Sequence, residues 1–285
     1  MKAYIFPGQG SQIKGMGAEL FTEFKEHVKK TDEILGYSIE ELCLQDNENK
    51  LNVTRYTQPA LYVVEALEYL KKLRDTNDKP DYVLGHSLGE YVALFAANVF
   101  DFITGLKLVV KRGELMHKAG NGGMAAVMGL NWKQIDRIIK SNGLYDISIA
   151  NLNTSSQVVI AGPNKSIEAG KSIFKENGAF RYVVLDVSGA FHSPYMTDAA
   201  KEYRKYVSML QLKAPEILVL SNYTARPYIK CEIVENLIQQ IDNTVKWSES
   251  IEYLIDEGVN EFVQVGPGRT AISTVKQIQR EVIQI

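Results

Sequence analysis

The chain has 285 residues, 45% of them apolar and 23% charged, and its 32 basic and 34 acidic side chains leave a formal net charge of −2. Such ordinary values exclude intrinsic disorder, collagen and low complexity, and a near-neutral chain has no general attraction for nucleic acid or an anionic membrane. Two distant cysteines, Cys43 and Cys231, make neither a disulfide framework nor a zinc site and suit a reducing cytosol.

No apolar run reaches the roughly 18 residues that span a bilayer. The first such run is very short and breaks at Pro7-Gly8, unlike a secretion signal, so a cytoplasmic protein is expected. Ala3–Phe6 reads as a strand. Apolar residues at 60, 61, 63, 64, 67, 70 and 73 predict a helix over Ala60–Leu73, with Pro59 just before its start. Asp81–Leu84 is a strand; Leu88–Ala97 and Phe102–Lys118 are helices.

The next stretch changes character. Met124–Leu130 is a strand, Trp132–Ser141 a helix, Ile147–Ala150 and Gln157–Ala161 strands, Lys165–Asn177 a helix and Arg181–Val187 a strand. That order, β-α-β-β-α-β, is the ferredoxin-like unit. The larger pattern then resumes. Met196–Ser208, Cys231–Ile241, Glu249–Glu257 and Thr270–Arg280 are helices, and Ile217–Ser221 and Glu261–Val265 strands. The expected architecture is α/β. A parallel-sheet core (residues 1–122 and 189–285) carries a small ferredoxin-like subdomain (123–188).

The chemistry is concentrated in Gly85-His86-Ser87-Leu88-Gly89-Glu90. Gly-x-Ser-x-Gly between a strand and a helix is a nucleophile elbow. Its tight turn needs tiny neighbours at ±2 and aims the serine Oγ outward at a helix N-terminus, where N–H groups stabilise negative charge. A Gly-bounded turn is the bland alternative, and the strand–turn–helix context favours the elbow.

A serine needs a base, and there are four histidines. His27 lies in the charged helical stretch Lys25–Lys30 and reads as a solvated surface residue. His86 adjoins the serine, and neighbouring side chains on an elbow diverge, so packing or hydrogen bonding suits it better. His117 closes a helix, where the dipole accounts for it. His192, in the loop Ser188-Gly189-Ala190-Phe191-His192-Ser193-Pro194, is the best-placed base.

Phe6-Pro7-Gly8-Gln9-Gly10-Ser11-Gln12, the elbow, Arg112-Gly113-Glu114-Leu115-Met116, Gly189–Pro194 and Val265-Gly266-Pro267-Gly268 occur in this order. With Tyr56–Leu61 and Gln157–Gly162 they resemble the malonyl-CoA:acyl carrier protein transacylases of fatty-acid and polyketide synthesis, over essentially the whole chain. Glu90–Ala97 through Phe100-Asp101-Phe102 is more similar to the free-standing acyltransferases that serve polyketide synthases in trans. The resemblance implies an α/β-hydrolase-like core with the inserted ferredoxin-like subdomain.

It also implies roles. Ser87 is the nucleophile and His192 the base, oriented by the main-chain carbonyl of Gln240 in place of a triad carboxylate. The N–H groups of Gln9 and Leu88 form the oxyanion hole. Arg112 grips the malonyl carboxylate, although by periodicity alone it reads as a helix-surface cation. Met116, Phe191 and His86 also meet the substrate, and the Phe191 ring favours malonyl over methylmalonyl. The implied substrate is malonyl-CoA and the partner an acyl carrier protein, with polyketide synthase modules behind it. No cofactor or metal is expected, and no nucleic acid or membrane.

The chain departs from the family at Thr244, where a proline is usual, at His117, where an amide is common, and over Arg269–Ser273. A nucleotide loop at Gly8-Gln9-Gly10 fails because Ile13 stands where a glycine is needed. Rival readings are an acyl hydrolase on the same fold and a module that only docks a carrier protein. Carrier proteins are acidic, so Lys71-Lys72-x-Arg74 and Lys107/Lys111 are candidates for a basic lip near Ser87.

Overall fold

The computed structural model describes residues 1–283. β1 (Lys2–Phe6) leads into short helices α1 (Ala18–Glu23), α2 (Lys25–Leu35) and α3 (Ile39–Leu44), then the long α4 (Thr54–Thr76), β2 (Tyr82–Gly85), α5 (Gly89–Ala96) and α6 (Phe102–Lys118). A second unit follows: β3 (Gly123–Met128), α7 (Trp132–Ser141), β4 (Ser148–Thr154), β5 (Gln157–Gly162), α8 (Asn164–Glu176) and β6 (Arg181–Val184). The chain returns to the first unit with α9 (Thr197–Val207), β7 (Leu218–Val219), α10 (Ile233–Asp242), α11 (Trp247–Asp256), β8 (Glu261–Gln264) and α12 (Thr270–Ile283). No helix among the described residues is long and apolar enough to cross a membrane.

The core sheet is parallel, in the order β7-β2-β1-β8. Its central strands are continuous apolar runs, as a parallel sheet covered on both faces requires. Alternation along them divides the packing. Tyr4, Phe6 and Val83 join the large cluster with α4, α5 and α6, whereas Ala3, Ile5 and Leu84 face Trp247, Ile251 and Val275 of α11 and α12.

The second sheet is antiparallel, in the order β4-β5-β3-β6. This is the strand order that a βαββαβ chain makes in a ferredoxin-like unit. Ala125, Val127, Val158 and Ile160 pack on Ile135, Ile138, Ile167 and Phe174 of α7 and α8. The opposite face, with Met124, Ala126 and Val159, joins the large core cluster and walls the central cavity. β4 is also stitched to the core. Val245 N–H donates to Ala150 O and Leu152 N–H to Val245 O, both at 2.9 Å. The Thr244 hydroxyl donates to Ile149 O at 2.7 Å.

Several expectations need correction. Pro59 lies inside α4, because the buried Thr54, Thr57 and Gln58 pack against the neighbouring segments and extend the helix backwards. Pro59 is the sixth residue of α4, past the first turn where a proline is free, so its missing N–H forfeits one intrahelical bond. His27 is wedged edge-on between Phe24 and Phe102, at ring-centroid distances of 5.7 and 4.9 Å, rather than solvated. The last strand of the small sheet ends at Val184, not Val187, and β7 spans only Leu218–Val219. Helices α1 and α3 lie where the sequence pattern predicted nothing.

Candidate active site

β1 and β2 run side by side with Phe6 opposite Gly85. This register places the Pro7-Gly8-Gln9 loop beside the elbow, at the carboxyl ends of the central strands, where open α/β sheets bind ligands. The elbow is very tight. A Cβ on Gly85 would lie 1.8 Å from the Gly89 carbonyl carbon, and one on Gly89 would lie 2.2 Å from Phe6 O. Ser87 has φ 52°, a left-handed conformation rare for serine. Asn222 holds it there: its Oδ1 accepts from Ser87 N–H at 2.7 Å and its Nδ2 donates to Gly85 O at 2.7 Å.

His192 is also left-handed, with φ 57°. Its Nδ1 lies 2.6 Å from Gln240 O. A carbonyl only accepts, so Nδ1 carries the proton and Nε2 keeps its lone pair. Ser87 Oγ lies 2.7 Å from that Nε2 and donates to it. Burial, reinforced by the Arg112 charge, pushes the His192 pKa down to about 3 against the raising effect of the Gln240 carbonyl. The imidazole is therefore a neutral acceptor throughout the physiological range.

Arg112 is 1% exposed. It donates to Gln58 Oε1 at 2.7 Å, to Gln240 Oε1 at 2.7 Å and to Ser87 Oγ at 3.1 Å, and its guanidinium lies 5.5 Å from the Tyr91 ring centroid. Its Nε is buried without a partner. A buried cation with an unused donor, beside a nucleophile, is arranged to receive an anion.

These groups open into a cavity of about 240 Å³. Gln9, Leu88, Met116, Phe191 and His86 all line it, and so do Gln58, Asn151 and Asn153. Among the described residues neither Gln9 N–H nor Leu88 N–H has an acceptor. Gln9 is braced by Thr54 Oγ1, which donates to its Oε1 at 2.7 Å. His86 packs on Trp247 and its Nε2 lies 3.0 Å from Asn153 Oδ1. Among the described residues no group of three or more His, Cys, Asp or Glu side chains could hold a metal ion.

The Lys71-Lys72-x-Arg74 half of the expected basic lip is not at the site. Lys71 and Arg74 pair with Glu23, and at 1.5 Å per residue along α4 they lie about 20 Å from Gln58. The sequence reading also missed Asn222, Tyr228 and the carboxylate of Glu90. Asn222 is 135 positions from Ser87, beyond any local pattern. Glu90 did leave a signal, as an acidic residue on an otherwise apolar helix.

Fold and site together define an acyl-transfer protein built around a serine. Residues 3–284 match the family model of the acyl transferase domain, and the chain belongs to that family. It is 51% identical over 282 residues to the polyketide biosynthesis malonyl CoA-acyl carrier protein transacylase BaeC of Bacillus velezensis, covering 99% of this chain and 98% of that one. The malonyl CoA-acyl carrier protein transacylase of Burkholderia pseudomallei superposes with a TM-score of 0.95 at 44% identity, covering 99% and 98% of the two chains. A malonyl-transacylase solved in complex with its type II PKS acyl-carrier protein gives 0.93 at 34% identity, covering 98% and 93%.

Proposed function

We propose that the protein is a malonyl-CoA:acyl carrier protein S-malonyltransferase of polyketide synthesis. The observation that carries this reading is the buried Arg112 guanidinium, 3.1 Å from Ser87 Oγ and with Nε unpaired. An enzyme moving uncharged acyl chains gains nothing from such a group. A malonyl ester on Ser87 carries a free carboxylate that the unpaired Nε–H, with the NH2 hydrogen released from Ser87 Oγ, can grip with two parallel bonds.

The reaction runs in two halves. Ser87 Oγ attacks the thioester carbonyl of malonyl-CoA while its proton passes to His192 Nε2. The imidazolium that forms is held by Gln240 O. Negative charge on the former carbonyl oxygen falls to the N–H groups of Gln9 and Leu88; losing one such donor costs roughly 2.7–4 kcal/mol. Collapse breaks the C–S bond, and the CoA thiolate takes the proton from Nε2. In the second half the phosphopantetheine thiol of the carrier gives its proton to Nε2 and attacks the ester, and Ser87 leaves with that proton. No cofactor is needed.

Residues 1–122 and 189–285 serve in this reading as the catalytic core and 123–188 as the small subdomain. Phe191 and Met116 wall the acyl pocket, and the ring favours malonyl over a branched homologue. Two unpaired cysteines accord with a cytoplasmic setting, where polyketide synthase modules would draw on the loaded carrier.

The test is intact-protein mass spectrometry after brief mixing with malonyl-CoA, acetyl-CoA and methylmalonyl-CoA in competition. A malonyl adduct absent from Ser87→Ala, and discharged to added holo carrier protein, is expected. Turnover of uncharged acyl groups to free acid with no malonyl adduct would instead make it a hydrolase.

A further inference from the structure

Beneath the elbow lies a buried carboxylate that the acyl-transfer steps above do not use. Glu90 is 0% exposed. Its Oε1 accepts from Asn222 N–H at 2.8 Å and from Tyr228 O–H at 2.7 Å, and its Oε2 accepts from Gln240 Nε2 at 2.5 Å. These contacts are all donors, which suits the ionised form. Each neighbour has a second task. Asn222 Oδ1 holds the Ser87 N–H. Gln240 gives its main-chain carbonyl to His192 and its side-chain oxygen to Arg112, and its Nε2 also reaches Ser87 O at 2.7 Å. The Gln240 amide thus spans a buried cation and a buried anion, and that fixes which end is oxygen.

We propose that Glu90 is the positioning residue of this site: as a carboxylate it locks Asn222 and Gln240, and through them the strained Ser87 and the orientation of His192. Glu90 touches neither substrate nor reacting atoms. The inference rests on the acyl-transfer reading of Ser87, but it concerns how the nucleophile is held, whichever acyl group is moved.

The geometry has a pH consequence. A proton on Oε2 would set an O–H against the Gln240 NH2 and break that link. Burial raises the Glu90 pKa to about 7, opposed by its three donors and by the Arg112 charge. The titratable and charged groups facing it are Tyr228, Arg112 and the adjacent Tyr91. His192, held near 3, contributes no limb in this range. The reactivity of Ser87 should therefore fall as the pH drops through about 7.

The experiment measures the rate of Ser87 labelling by a fluorophosphonate against pH. Oγ bonds to phosphorus, fluoride leaves, and the proton passes to His192, so neither malonyl-CoA nor Arg112 is needed. Glu90→Gln keeps the volume and one acceptor oxygen but sets an NH2 against the Gln240 NH2. A misplacement of this kind is worth up to about 100-fold in rate. The expected result is labelling slowed by about that factor and flat with pH. Tyr228→Phe removes one donor from the carboxylate, which raises its pKa, and should move the wild-type limb to higher pH. A residue that only supports the fold would not move that limb. Glu90→Gln labelling at the wild-type rate with the wild-type profile overturns the proposal. If that variant fails to fold, an unmoved limb in Tyr228→Phe overturns it. Glu90-dependent labelling in a protein that takes no malonyl group would leave this role standing and sink the transferase reading.

Discussion

Ser87 and His192 meet at 2.7 Å with both backbones left-handed, φ 52° and 57°. Two non-glycine residues in this region each cost on the order of 1–3 kcal/mol and persist only where the surroundings over-determine them. Here the surroundings are specific. Asn222 holds the Ser87 amide, and the Ile241 and Gln240 carbonyls hold the His192 amide and ring.

His192→Ala should keep the fold and lose the proton transfer. General-base assistance is worth roughly 10²–10⁴-fold, and CoA release followed by rapid mixing should slow by that range. Free imidazole in the buffer, which supplies the missing neutral acceptor, should partly restore the rate. Wild-type speed without His192 would remove it from the mechanism.

Arg112→Ala should abolish the preference for malonyl-CoA over acetyl-CoA. A hydrogen bond to a charged group is worth about 1.5–3 kcal/mol, so kcat/KM for malonyl-CoA should drop by at least tenfold while that for acetyl-CoA holds or rises. Arg112→Lys should not rescue it, since a point charge cannot reproduce the two-bond grip or keep Gln58 and Gln240 engaged together. Equal losses for both thioesters would mean that Arg112 serves Ser87 rather than the acyl carboxylate.

The parts of the molecule legible in the sequence were those written in local pattern. Short apolar runs and helical spacing located the strand before the elbow, the helix after it and the six elements of the small unit. The elbow itself was legible because a glycine on each side of Ser87 has a steric cause. What was illegible depends on distant contacts. Pro59 was read as a helix start because nothing local shows Thr54 and Gln58 packing inward. His27 looked solvated because Phe102, which covers it, is 75 positions away. The Asn222–Glu90–Gln240 links join Glu90 to two residues 132 and 150 positions further along the chain.

The elbow glycines should tolerate nothing larger. Gly85→Ala forces a Cβ to 1.8 Å from the Gly89 backbone, so the variant should be insoluble or lack the cooperative unfolding transition. Gly10→Ala is the contrast. Its φ is +101° but nothing lies within 4 Å of the added Cβ, so the cost is conformational only, about 1 kcal/mol. A soluble Gly85→Ala with wild-type melting would mean the strand–helix junction is far looser than its contacts imply.

Glu65 carries a stability prediction of definite sign. It sits on α4 at 0% exposure, beside Gly266, and neither carboxyl oxygen has a partner. Burial, helped by the charge of Glu68, holds its pKa well above the ordinary 4.5. The folded state therefore binds the proton more tightly than the unfolded one. The Glu65 contribution is fully present at acid pH and is lost as the pH rises through the folded value. Glu65→Gln has the same shape and no titration. Its melting temperature should match the wild type near pH 4.5 and exceed it increasingly toward alkaline pH. The comparison isolates Glu65, because His192, Glu90 and Glu68 titrate in both proteins. A gap that is constant with pH, or that grows toward acid, would show that the carboxyl is ionised in the fold and has found a partner.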